Sequence, residues 1–381
     1  MLRLRSCIAA RLLSSTPAAP ISPIHCLPTA AVSPNPIFAV EDYLVDNCGL
    51  TRAQALKAST KLSHLGSSCN PDAVLAVLAS LGLSSADVAS LVPKDPQLLL
   101  TSVEGTLSPN VAGLTALGLS PSEVARLVSL HPSSLRRRSI VSKMRYYLTI
   151  FGSFDTFLRA LNRGPYLLSC NLDNAVKPNV AFLQECGLDA CDIAKLCISQ
   201  PWLLSTNQER VQATVACAEA VGVPRGSGMF RQALQGVAFL SEEKIAAKVE
   251  YLKKTFGWSD AEVGIAVCKF PMTLKLSNDT LQRKSEFLIS EVGLEPAYIA
   301  HKPSMLSLRL DGRLRPRYYV VKFLKENGLL DRGRSYYASL IPTEKVFVGK
   351  YIHPYKETTP HLAEDYAAAC RGEVRTRFRF T

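Results

Sequence analysis

The chain lacks any uninterrupted apolar run of the roughly 18 residues a membrane-spanning helix needs, so no membrane partner is expected. Paired Cys-x-x-Cys motifs are also missing. Eleven cysteines are scattered along the sequence, and the spacing of Cys186, Cys191 and Cys197 does not match a zinc-ligand set. They read as small apolar filler in a reducing compartment, and no metal is expected. The six histidines include no His-x-x-x-His or His-Glu-x-x-His pair. Gly226-Ser-Gly228 has neither the Lys-Ser/Thr nor the preceding strand of a phosphate loop. Nothing in the chain assembles a catalytic residue set or calls for a cofactor, so an enzyme is not expected.

What is present is a periodic proline. Pro96, Pro132, Pro165, Pro201, Pro271 and Pro303 are each followed three residues later by leucine: Leu99, Leu135, Leu168, Leu204, Leu274 and Leu306. The intervals are 36, 33, 36, 70 and 32 residues, so the fourth spans two periods and hides one degenerate unit. A fixed period in this range means stacked supersecondary units, none able to bury its apolar face alone. Gly82, Gly118, Gly187 and Gly257 each lie 14 residues before their proline. After each comes a helix start: Ser84 with Asp87, Ser120 with Glu123, Asp189 with Asp192, Ser259 with Glu262. An oxygen side chain at the N-cap and a carboxylate three residues on satisfy the free N–H groups of a first turn. Apolar residues then fall at i, i+3 and i+4, as in Val88, Leu91, Val92 and Val124, Leu127, Val128. The proline ends that helix, and the Pro-x-x-Leu turn returns a leucine to the core. Second helices are expected near 141–147, 176–183, 244–252 and 280–288. The fold class is therefore an all-α helical-repeat solenoid.

Residues 1–40 contain no Asp or Glu, carry Arg3, Arg5 and Arg11, and are rich in Ser, Ala, Leu and Pro. That is the composition of an organellar transit peptide. Mitochondrial import is the first expectation and plastid import the alternative. The expected organisation is a transit peptide and linker over 1–38, a repeat domain over 39–335, and a closing C-terminal segment with a basic tail over 336–381. A net charge of +12 points to an anionic partner.

The repeat resembles that of the mTERF (mitochondrial transcription termination factor) family. The residues that carry this are Pro96-Gln-Leu-Leu99, Pro165-Tyr-Leu-Leu168 and Pro201-Trp-Leu-Leu204, each behind a Gly and a capped helix. Lys345-Val-Phe-Val348 and Tyr351-Ile-His-Pro354 resemble the C-terminal end of the plant branch. The likeness runs from about residue 40 to about 360. It implies a crescent-shaped superhelix of two-helix units with short 3₁₀ turns and a basic groove for nucleic acid. It also implies a role in organellar transcription termination, initiation or RNA processing. Two units depart from the pattern. The one at Gly222 has Val-Pro-Arg-Gly-Ser-Gly where a capped start belongs, and the last has only ten residues from Gly293 to Pro303.

Phosphate binding needs several cations along one surface. Lys143, Lys177, Lys248, Lys284 and Arg317 recur near the start of successive second helices, and equivalent positions of a solenoid line up. Arg136, Arg137 and Arg138 form a run at a turn; Arg309, Arg313, Arg315 and Arg317 form a second cluster interrupted only by the acid Asp311. Each lysine alone reads first as part of an ordinary solvated face. Tyr146, Tyr147, Tyr318 and Tyr319 flank the clusters, as stacking platforms or as core. The expected partner is nucleic acid, double-stranded DNA ahead of RNA, bound by a monomer. A scaffold that holds a partner helix in its concave face is the alternative.

Overall fold

The computed structural model describes residues 38–373. The stretch expected to be a transit peptide lies outside these apart from Phe38. Among the described residues every regular element is helical. The chain begins with α1 (Val40–Asp46), α2 (Arg52–Ser59), α3 (Cys69–Ser80), α4 (Ser85–Leu91) and α5 (Ser108–Ala116). It continues through α6 (Pro121–Leu130), α7 (Ile140–Phe151), α8 (Phe154–Arg163), α9 (Lys177–Glu185) and α10 (Ala190–Ser199). Then come α11 (Trp202–Ser205), α12 (Gln208–Ala220), α13 (Phe230–Val237), α14 (Glu242–Phe256), α15 (Asp260–Lys269) and α16 (Asn278–Ser285). The last are α17 (Pro296–His301), α18 (Arg315–Glu326), α19 (Tyr336–Leu340), α20 (Glu344–Tyr351) and α21 (Leu362–Cys370).

The capping chemistry forms as the sequence dictates. Ser84, Ser120 and Ser259 close reciprocal boxes with Asp87, Glu123 and Glu262 at the starts of α4, α6 and α15. Asp189 accepts the Asp192 N–H, while the Asp192 carboxylate turns instead to Arg231 of α13 at 3.1 Å. Each periodic proline opens a short turn, 3₁₀ in all but one unit: Pro96–Leu100, Pro132–Ser134, Pro165–Leu168, Pro271–Lys275 and Pro303–Ser307, with the α-turn α11 after Pro201. All six leucines that follow are buried, none more than 3% exposed. Burying a leucine contributes on the order of 1.5–3 kcal/mol, so these turns are apolar seams between units.

A second proline follows thirteen residues after the first in three units: Pro109, Pro178 and Pro316. Proline inside a helix clashes with the carbonyl four residues back, and the chain relieves this by widening the preceding turn. That widened π turn is seen at Val103–Leu107, Leu172–Val176 and Leu310–Leu314. The thirteen-residue spacing is the signal in the sequence that marks these turns.

The apolar seam runs as one core from Tyr43 to Leu340. A second cluster, with Val320, Val321, Leu324, Phe347, Tyr351 and Tyr366, packs α20 and α21 against α18 at the C-terminal end.

Candidate nucleic-acid interface

The eleven candidate cations divide by what their head groups touch. Five donate to backbone carbonyls. Lys143 and Lys284 are 7% and 5% exposed, and their Nζ atoms reach Leu168 O at 2.7 Å and Leu306 O at 2.6 Å. Lys248 Nζ reaches Leu276 O at 2.9 Å and also Asn278. Arg313 donates to Leu340 O, Ile341 O and Pro342 O. Arg317 is fully buried over the Phe347 ring and donates to Ser339 O, Leu340 O, Pro342 O and the Glu344 carboxylate. Burial pulls the pKa values of Lys143, Lys248 and Lys284 below the ordinary lysine range, and Arg137 and Arg283 lower those of Lys143 and Lys284 further.

Four of the five, Lys143, Lys248, Lys284 and Arg317, occupy one seat in the repeat, and other residue types share it. Asn110 Nδ2 reaches Leu135 O at 2.6 Å and Arg137 O at 3.2 Å. Asn179 reaches Leu204 O and Thr206 O, and Asn70 reaches Leu99 O and Thr101 O. In all but one of these units a donor on the second helix satisfies a carbonyl at the end of the next short turn, a proline turn for all but Arg317, which reaches the end of α19; a short helix leaves its last C=O groups unpaired. The unit just before the degenerate one, whose next proline turn is missing, has Thr214 in this seat, and its hydroxyl turns back to Arg210 O of its own helix. Of the expected cationic stripe, Lys143, Lys248, Lys284 and Arg317 therefore form a line of equivalent positions that points inward and ties unit to unit, while Lys177 stands outside it on Asp173. This corrects the solvent-facing reading of those four residues.

Three more candidates lie in ion pairs. Arg136 forks onto Asp95 of the preceding turn at 2.7 and 3.1 Å. Arg315 pairs with Asp311 at 2.6 Å and stands over the Phe287 ring. Lys177 pairs with Asp173 at 2.6 Å; that hydrogen bond holds its pKa above the usual lysine value, and the pair is open to solvent. Exposed pairs of this kind contribute little, so Lys177 can exchange its partner at small cost.

Arg137, Arg138 and Arg309 remain. All three are exposed, and their side chains have no hydrogen bond or ion pair among the described residues. Arg138 and Arg309 both fall six residues after a turn proline. Elsewhere that position holds Ser102, Asn171, Asn207 or Ser277, each of which caps a helix through its side-chain oxygen. Neither α7 nor the turn opening at Leu310 has a side-chain cap. An arginine beside an uncapped helix start adds its charge to the positive end of the dipole.

The flanking tyrosines serve the fold. Tyr147 is buried with its hydroxyl on Leu167 O at 2.7 Å. Tyr318 and Tyr319 both reach Glu291, and Tyr146 lies under the Lys177 ammonium.

An all-α stack of two-helix units with proline turns, tied by a ladder of inward donors, defines a helical-repeat solenoid. The chain belongs to the mTERF family, whose model matches residues 72–347. It is similar to the protein named transcription termination factor MTERF8, chloroplastic, of Arabidopsis thaliana, at 24% identity over 154 residues, 40% of this chain and 31% of that one. It is also similar to transcription termination factor MTERF15, mitochondrial, of the same plant, at 24% identity over 217 residues, 56% of this chain and 48% of that one. The matched segments thus span less than half the length of these relatives, both of which carry organellar names. Both relatives are named for a role in transcription rather than for a catalysed reaction.

Proposed function

We propose that this chain is an organellar nucleic-acid-binding protein that regulates its organelle's gene expression by occupying double-stranded DNA, as a monomer, in transcription termination or a related regulatory step. The observation that carries the reading is the set Arg137, Arg138 and Arg309, exposed, unpaired and lying on the turn edge of their units. A rigid repeat holds such cations at fixed spacing, which suits a regular duplex better than an irregular strand. Lys177 joins them by giving up Asp173. The names of the relatives support a role in transcription. The organelle we propose is the mitochondrion, on the arginine- and serine-rich, acid-free composition of the first 38 residues, with the chloroplast as alternative; import into isolated organelles decides between them.

The test is binding of the chain to duplex DNA and to the matching RNA across a salt series. Each phosphate neutralised on a duplex adds about 0.9 to the slope of log affinity against log salt. Replacing Arg137, Arg138 and Arg309 together with alanine should reduce that slope by about 2.7 while leaving the melting temperature unchanged. An unchanged slope removes this edge from the site. Tighter binding of the RNA than of the duplex at every salt would overturn the choice of DNA.

A further inference from the structure

The degenerate unit leaves a cleft whose cause is legible in the chain. In the regular units the first helix begins three residues after its glycine, as Ser85 after Gly82, Pro121 after Gly118, Ala190 after Gly187 and Asp260 after Gly257. After Gly222 the helix α13 starts only at Phe230, five residues late. At 1.5 Å per residue about 7.5 Å of helix is missing.

The residues that would have formed it are ordered elsewhere. Gly226 donates its N–H to Cys186 O at 3.1 Å. It lies so near Gly187 (φ +87°) that a Cβ there would stand 2.8 Å from the Gly226 Cα. Arg225 forks onto Glu219 at 2.8 and 3.0 Å. The shortened α13 is drawn toward the next proline turn, because Gly236 lacks the Cβ that would meet Pro271 O at 2.9 Å. It packs on Pro271–Lys275 rather than broadly against α15, whereas α8 packs against α10 and α15 against α17.

What remains is a cleft of about 600 Å³ between α12, α14 and α15. A helical segment 7.5 Å long and about 10 Å across displaces a volume of the same order. Its walls are helix faces: Ala216 and Ala220 on α12; Ile245, Ala246 and Val249 on α14; Val263, Gly264 and Val267 on α15. Ala216, Ala220 and Ala246 are exposed, and with Gly264 they let another backbone come close. At the rim stand Asp260, already paired with Lys253, and Glu242, which has no hydrogen bond or ion pair among the described residues and whose charge is felt by the Cys217 thiol.

We propose that this cleft is a docking site for one amphipathic helix of a partner protein, with a narrow apolar face of small and branched side chains and a lysine or arginine flank toward Glu242. The occupant restores the helical turn and a half that this unit lacks, and its cation pairs with the unpaired carboxylate. Nothing in this inference depends on nucleic-acid binding.

The probe is a peptide of residues 118–131, which forms the complete first helix α6 in its own unit, carrying S122K and S129K. A second peptide carries glutamate at both positions. Binding is read as protection of Cys217, a half-buried thiol in the cleft wall, from a maleimide, quantified on its own peptide in the full chain. The lysine peptide should slow Cys217 labelling, and its affinity should exceed that of the glutamate peptide about tenfold, an electrostatic preference that Glu242→Lys reverses. Ala246→Trp fills the cleft from an exposed position and should abolish protection without lowering the melting temperature. No protection by the lysine peptide, or equal protection in Ala246→Trp, overturns the proposal. Stronger protection by a peptide of residues 1–14 would overturn the partner assignment and make the occupant this chain's own N-terminal segment.

Discussion

Replacing Lys143 separates a structural from a phosphate-binding role for the repeated cations. Its ammonium donates to Leu168 O at 2.7 Å from a buried position beside Met144 and Tyr147. Lys143→Met keeps most of the stem and deletes the donor. The loss is one charged hydrogen bond, worth about 1.5–3 kcal/mol, plus the cost of a carbonyl left unpaired. The gain is that no ammonium need be desolvated, which the lowered pKa marks as a real cost. The net expectation is a destabilisation of about 1–3 kcal/mol. Lys143→Asn should cost less than about 1 kcal/mol, because Asn110 and Asn179 sit in the equivalent seat and reach the carbonyl of the leucine 25 residues on. Guanidinium unfolding measures both variants. Duplex affinity is then measured where each is fully folded, and neither change should alter it. A structural role for Lys143 is refuted if Lys143→Met is as stable as the parent, or if both variants keep their stability and lose affinity together. The second result would mean that the ammonium faces a phosphate.

Other outcomes follow from burial. Leu99→Ala and Leu204→Ala, each at a fully buried turn leucine, should cost about 2–5 kcal/mol in chemical denaturation, and a cost near zero would break the repeat register. Burial raises the Cys48 thiol to about 11 from an ordinary value of 9.0, with Asp72 adding to the shift. The unfolded chain then loses this proton first as pH rises, so stability should fall between pH 9 and about 11 and hold below that window. In Cys48→Ala that part of the slope should vanish; an identical pH profile in both proteins would refute the assignment. Gly187→Ala, at a positive φ and against the Gly226 backbone, should lower the melting temperature and speed proteolysis at 223–229, whereas Gly257→Ala, with open space around it, should leave that loop intact.

Much of the fold was legible because its rules are local. The caps at Ser84, Ser120 and Ser259 and the proline stops act within a few residues of themselves, so the sequence carries them whole. The direction of the cations was legible too, though the reading followed their charge and not their phase. Lys143 lies between Ile140 and Met144, Lys284 between Leu281 and Leu288, and Arg317 between Leu314 and Val320, all on the buried side of a 3.6-residue period. A long stem hides this, because it can carry its head group out to water or back to a carbonyl. What no local rule announces is the demand itself: a short turn that ends in unpaired carbonyls 22 to 29 residues away. That demand is for an N–H of sufficient reach, and Asn, Lys and Arg all meet it. A positive charge at this seat is therefore no sign of a phosphate contact. The informative cations are the exposed ones that the turn does not use: Arg309, at the cap position where equivalent units carry an oxygen, and Arg138, one residue before the uncapped Ser139, because there the fold itself has no use for the charge.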